Sequence, residues 1–230
     1  MQIAPIPYLE GLKTYTSDFK VEYFLTLPAD TPYGSLTITY SQIITRIECL
    51  NKSIESLFNG FYAHLELVKV RGGWSTADET FMYKFEIEQV IYWLRKTADE
   101  FICIIYIILE HKASGLYPKQ ISVSSIGKFL KLENKAKFGL DGHIGLFTIL
   151  NDISNAYKHT LLNSQAHNHH NLKEPTVIAL SAFNVASDKP KFYSCLLRDI
   201  LTHYDMFLKD TRALLANDYP PVSDFGKITF

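Results

Sequence analysis

Between Leu36 and about Val70 the chain holds no proline, and Ile43, Ile47, Leu50, Ile54, Leu57, Phe61 and Leu65 recur at steps of three and four. That period is one face of an α-helix, so a long amphipathic helix is predicted over about 36–68. Gly60 costs such a helix about 1 kcal/mol relative to alanine and marks a bend or an end. After the turn RGGWST, Asp78 and Glu79 open a second helix, acidic residues being favoured at helix N-termini. Ile87, Ile91, Leu94, Ala98, Phe101, Ile105 and Ile108 then alternate steps of four and three as far as EHKASG, which predicts a helix over about 78–111. On another face of that helix Glu88, Tyr92, Arg95 and Asp99 align. Arg95 and Asp99 are i,i+4 neighbours and can pair.

Elsewhere the pattern is shorter. Pro5, Pro7, Pro28, Pro32 and Gly34 break any helix in the first thirty-five residues, leaving an arm in which FKVEYFLTL alternates enough for a strand or an extended segment. After the linker GLYPKQISVSS, Ser124 or Ser125 is placed to cap a short helix IGKFLKL. The glycine-containing KFGLDGHIG leads into a helix over about 142–163, with Phe147, Leu150, Ser154, Tyr157 and Leu161 on one stripe. A separate polar stripe holds Asn151 or Asp152, then Asn155 and His159. PTVIALSAFNV reads as a strand. A last helix over about 192–215 turns Leu196, Ile200, Tyr204, Phe207, Leu208, Thr211 and Leu215 inward.

No internal repeat is present, so these elements predict an all-α, mainly helical fold: a four-to-five-helix bundle with a short N-terminal arm and a minor β-strand or hairpin. The expected divisions are an arm over 1–35, a bundle over 36–215 and a turn-rich tail over 216–230. Ile91, Leu94, Phe101, Ile105, Leu150 and Tyr157 are the expected core.

Composition narrows the function classes. With 23 Lys plus Arg against 24 Asp plus Glu, no global positive field attracts nucleic acid, and any such contact needs a local patch. Cys49, Cys103 and Cys195 match no zinc spacing and fit a reducing compartment. The apolar window FICIIYIIL is nine residues long, against roughly twenty for a membrane helix. The opening MQIAPIPYLEGLKTY lacks a basic stretch followed by an apolar run, so a secretory signal is not expected. A soluble, cytoplasmic protein without a membrane partner is the expectation. GxSxG, P-loop, GxGxxG and HExxH motifs are all absent, and no cofactor is expected.

The remaining chemistry lies in NDISNAYKHTLLNSQAHNHHNL. His167, His169 and His170 could ligate a metal, but a rigid site needs fixed geometry and supporting partners. HNHH in an Asn-rich loop offers neither and reads as a solvated connector; no metal is expected. Asn155 and His159 stand four apart on one helix face, where imidazole can move a proton near neutral pH and an amide can hold a phosphate. Read without context, the same pair is an ordinary polar helix end facing water.

SNAYKH, late in a helical protein, resembles the HEPN superfamily, whose ribonuclease members carry an Arg-x(4–6)-His motif, often with Asn after the arginine. Asn155 and His159 match that pattern, while Ser154 stands in the arginine's place. The resemblance implies a bundle that pairs as a homodimer through the helices carrying the motif. It also implies metal-independent RNA cleavage, in which His159 would move protons while an arginine steadies charge on phosphate. Arg95 could supply that charge if its face meets the Asn155 stripe; otherwise it pairs with Asp99. Two readings therefore stand. One is an RNA-binding or protein-interaction module with a degenerate site, using Asn155, Lys158 and His159. The other is an endoribonuclease of a phage-defence or toxin–antitoxin system, with His159, Asn155 and Arg95 as its catalytic residues.

Overall fold

The computed structural model describes residues 4–12, 24–73, 76–159, 172–181 and 189–221. Within them the chain forms five α-helices and one two-stranded sheet, so the fold is mainly helical. The first helix, α1 (Leu36–Val70), begins where the Ser35 hydroxyl accepts the Ile38 N–H. It continues through Gly60 rather than ending there. Tyr83 of the following helix donates its hydroxyl to the Gly60 carbonyl at 2.9 Å. Its ring lies 3.8 Å from where a Cβ would stand. Tertiary packing thus overrides the glycine's intrinsic cost.

The second helix, α2 (Ala77–Ser114), starts with a capping box in which Thr76 and Glu79 satisfy each other's backbone N–H. The Thr76 N–H, with Arg71 beside it, holds the Glu79 carboxyl down at about 2. Gly115, with φ 71°, ends the helix, its N–H returning to the His111 carbonyl. From Ala98 to Ile108 the helix is buried on nearly every face: Phe101, Ile102, Ile104, Ile105 and Ile107 are all covered.

A single turn, α3 (Ile126–Phe129), is capped by Ser125 and is shorter than IGKFLKL predicts. Two 3-10 turns, Ala136–Phe138 and Asp141–His143, lead into α4 (Ile144–His159). Leu161 and the rest of the predicted helix beyond His159 lie outside the described residues. The strand β1 (Thr176–Ser181) pairs antiparallel with β2 (Lys191–Leu196), from Thr176↔Leu196 to Ser181↔Lys191. The last helix, α5 (Leu197–Ala216), therefore starts later than predicted. Tyr193 and Cys195 are half-buried while Phe192, Ser194 and Leu196 are exposed, a period of two that belongs to a strand. Leu196, expected to point inward, is on the outer face. The other α5 positions read as inward are buried.

Ile91, Leu94, Phe101, Ile105 and Leu150 share one apolar core. Tyr157 is only partly buried against it, because its hydroxyl reaches out to the Ile178 carbonyl at 3.4 Å. In the middle of the core Tyr204 of α5 donates to the Leu94 carbonyl at 2.7 Å. Its burial raises the phenol well above its ordinary value, so it stays a neutral donor.

Residues 4–12 lie on this bundle. Leu9 exchanges two hydrogen bonds with the Asn51 side chain, and the Glu10 and Gly11 N–H groups both donate to one Asp205 oxygen, at 2.6 and 2.7 Å. A Cβ on Gly11 would stand 2.6 Å from that of Leu208, so the close approach needs glycine. Of the predicted FKVEYFLTL strand, 19–23 lie outside the described residues, and Leu25 makes an isolated antiparallel bridge to Pro221. No helix among the described residues is long and apolar enough to cross a membrane.

Leu94, in the seam of α2, is fully buried. Leu94→Ala should lower unfolding free energy by roughly 2–5 kcal/mol in urea or thermal melts, as buried large-to-small changes do. A loss below about 0.5 kcal/mol, typical of surface changes, would contradict the assigned packing.

Candidate functional site

The polar face of α2 meets the polar face of α4. Arg95 donates from Nη1 to Asn155 Oδ1 at 2.8 Å and, more weakly, to the Asn151 carbonyl at 3.4 Å. Its Nε lies 3.8 Å from Asp99 Oδ2, one turn further along α2. The two outcomes weighed for Arg95, pairing with Asp99 and meeting the Asn155 stripe, occur together. The Arg95 side chain is only 13% exposed, and its Nη1 is turned to α4.

A third element closes the cluster. Asp99 Oδ1 accepts the Ile126 N–H at 2.7 Å, tying the start of α3 to α2. At Gly127 a Cβ would stand 3.0 Å from Asn151 Oδ1 and 3.9 Å from Arg95 Nη2, so a glycine lets α3 approach this closely. Asn151 rather than Asp152 shares the face of Asn155. Asp152 turns to β2, accepting the Tyr193 hydroxyl at 2.5 Å with Lys191 at 3.8 Å. Burial first, then the Asp152 carboxylate, pushes the Tyr193 phenol up to about 12.

Burial also raises the Asp99 carboxyl above its ordinary value, opposed by the Ile126 N–H and then by Arg95, Lys158 and Lys96. Desolvation wins because Arg95 directs its closest hydrogen bond to the Asn155 amide and stays 3.8 Å from the carboxylate.

Beside this cluster a cleft of about 180 Å³ opens between α2 and α4, lined by Glu88, Gln89, Tyr92, Ser154, Tyr157 and Lys158. Ser154, 2% exposed, forms part of its wall. At the rim the Lys158 ammonium sits 5.5 Å over the Tyr92 ring, a cation–π contact. Tyr92 in turn meets Trp93 edge-on, with ring centroids 5.1 Å apart. His159, the last residue of α4, is exposed one turn beyond Asn155.

Arg95 and Asn155 are therefore joined directly, Lys158 and His159 lie on the outer side, and His167, His169 and His170 lie outside the described residues. Among the described residues no group of three or more His, Cys, Asp or Glu is placed to hold a metal. The parts taken by Ile126, Gly127 and Gln89 carry no motif in the sequence. Ser125 as a helix cap was the one local sign that a helix N-terminus would be available nearby. No family model matches the chain, and neither a curated protein nor a solved structure matches it.

A carboxyl with a raised folded-state value binds its proton more tightly in the native state, so its contribution to stability falls as pH rises from its unfolded value of about 3.9 through the raised one. In melts from mildly acidic to neutral pH, wild type should lose stability relative to Asp99→Asn across that window. A difference that stays constant with pH would contradict the burial of Asp99.

Proposed function

We propose that this chain is an RNA-binding module rather than a nuclease, and that it holds a single strand along the outer side of the α2–α4 junction. The observation that carries the reading is the inward engagement of Arg95. Cleavage by attack of a 2′-hydroxyl needs a cation aimed at the phosphate where charge develops. Ser154 offers none, and Arg95 is held by Asn155 and paired with Asp99. What faces outward is suited to holding a strand: the exposed rings of Tyr92 and Trp93, with Lys158 and His159 beside them. Bases stack on such rings and cations follow the backbone. Asn155 supports this surface from beneath, as the anchor of Arg95.

The first half of α2 also exposes Phe81, Met82 and Phe85 next to Tyr92 and Trp93. Exposed aromatic and apolar side chains on one helix favour a second reading, a protein contact, with a second copy of the chain as the partner.

The test measures RNA binding and cleavage for wild type, Tyr92→Ala, Lys158→Ala, His159→Ala and a triple alanine change at His167, His169 and His170, with and without a chelator. Binding without cleavage is expected. Tyr92→Ala should weaken it by about 1–3 kcal/mol, and Lys158→Ala should reduce the slope of log K against log salt by about 0.7. Metal-free cleavage lost only in His159→Ala would replace this reading with the endoribonuclease. Chelator-sensitive activity lost only in the triple variant would move the site to the histidine tract. Light scattering on the same samples should give about twice 26.3 kDa for the second-copy contact, and a monomer at micromolar concentration would exclude it.

A further inference from the structure

The cleft has more chemistry than a general RNA surface requires. At 180 Å³ it is smaller than the roughly 300–1,000 Å³ of sites for drug-sized molecules, so it holds one ring system and not a whole nucleotide. In its wall the Glu88 side chain is 29% exposed, with the Lys84 ammonium 3.7 Å from Oε1. A carboxylate accepts hydrogen bonds on both oxygens, about four in all, so one such pair with Lys84 leaves capacity for donors from a ligand in the cleft. Its burial raises its proton affinity despite Lys84, and donors from a ligand would relieve that cost. Tyr92 and Tyr157 supply aromatic walls, and Lys158 stands at the rim.

Resting on the RNA reading above, we propose that this cleft is a base pocket selective for guanine in a single strand, with Glu88 as the reader. Guanine alone presents two adjacent N–H donors, N1–H and N2–H, on its Watson–Crick edge, matching the two oxygens of a carboxylate. Adenine and cytosine each put a ring-nitrogen lone pair beside their single amino donor. Uracil flanks its one N–H with two carbonyls. Each of those three turns a lone pair toward the Glu88 carboxylate, which leaves a buried acceptor facing an acceptor. On binding, Lys158 leaves the Tyr92 face for an oxygen of the base or its phosphate, and the base covers the ring it vacated.

Fluorescence anisotropy with short labelled oligouridines carrying one central G, A or C, or none, tests this on the full chain. Wild type should bind the G-containing strand roughly 5- to 150-fold tighter than the other three, the range of one good bidentate base contact. Glu88→Gln should bring that strand down to the level of the others while leaving all-U binding unchanged. Ser154→Leu, which fills the cleft from its wall without touching the carboxylate, should do the same, and thermal melts check that both variants fold. Equal binding of all four strands by wild type, or a G preference that survives in folded Glu88→Gln, overturns the pocket while the RNA reading stands. Absence of binding to every strand overturns both. Competition by free GMP at micromolar concentration would assign the cleft to a nucleotide and overturn the RNA form.

Discussion

The stretch of α2 from Phe101 to Ile108 is apolar on all sides, and a helix of that kind cannot stand against water. From Ala98 to Ile108 almost every position is buried, so neighbours must cover it all round. α1, α3, α4, α5 and β1 all pack against α2. Of these, α5 adds a hydrogen bond within the core, from Tyr204 to the Leu94 carbonyl. The first half of the helix is different: Phe81, Met82, Phe85, Tyr92 and Trp93 remain exposed. Arg95 and Asp99 sit at the border between the covered and uncovered halves. The candidate site is placed by that border.

At the border the arrangement is governed by how many partners one arginine has. Arg95 joins α2 to α4 through Asn155 and the Asn151 carbonyl, and Asp99 joins α2 to α3 through the Ile126 N–H. A guanidinium held in this way positions two helices against each other. Beside this junction lies the cleft lined by Glu88, Gln89, Tyr92, Ser154, Tyr157 and Lys158.

Much of this was legible in the sequence where the period was long. Both long helices, the buried seam of α2 and the pairing of Arg95 with Asp99 follow from spacings of three and four. Short elements were less legible. Lys191–Leu196 is six residues, too few to separate a strand from a helix start, and its pairing with β1 decides the matter. Gly60 marked a possible end of α1, but its neighbour Tyr83 comes from another helix and leaves no local trace. The same holds for the site. Arg95 and Asn155 are 60 residues apart and Gly127 lies between them, so their meeting depends on how α3 and α4 dock on α2. Neither the cleft nor its volume has any sequence signature, since its walls come from two helices far apart in the chain.

The central claim is that Arg95 stays locked inside while a strand is held on the outer face. Nitrogen-15 NMR of the side-chain N–H groups during titration with single-stranded RNA reads both at once, with Arg95→Lys assigning the Arg95 signal. The account predicts that the Trp93 indole N–H shifts on titration while the Arg95 Nε–H stays at its free position. An Arg95 signal that moves with RNA while Trp93 does not would contradict it, and would restore arginine as the phosphate clamp.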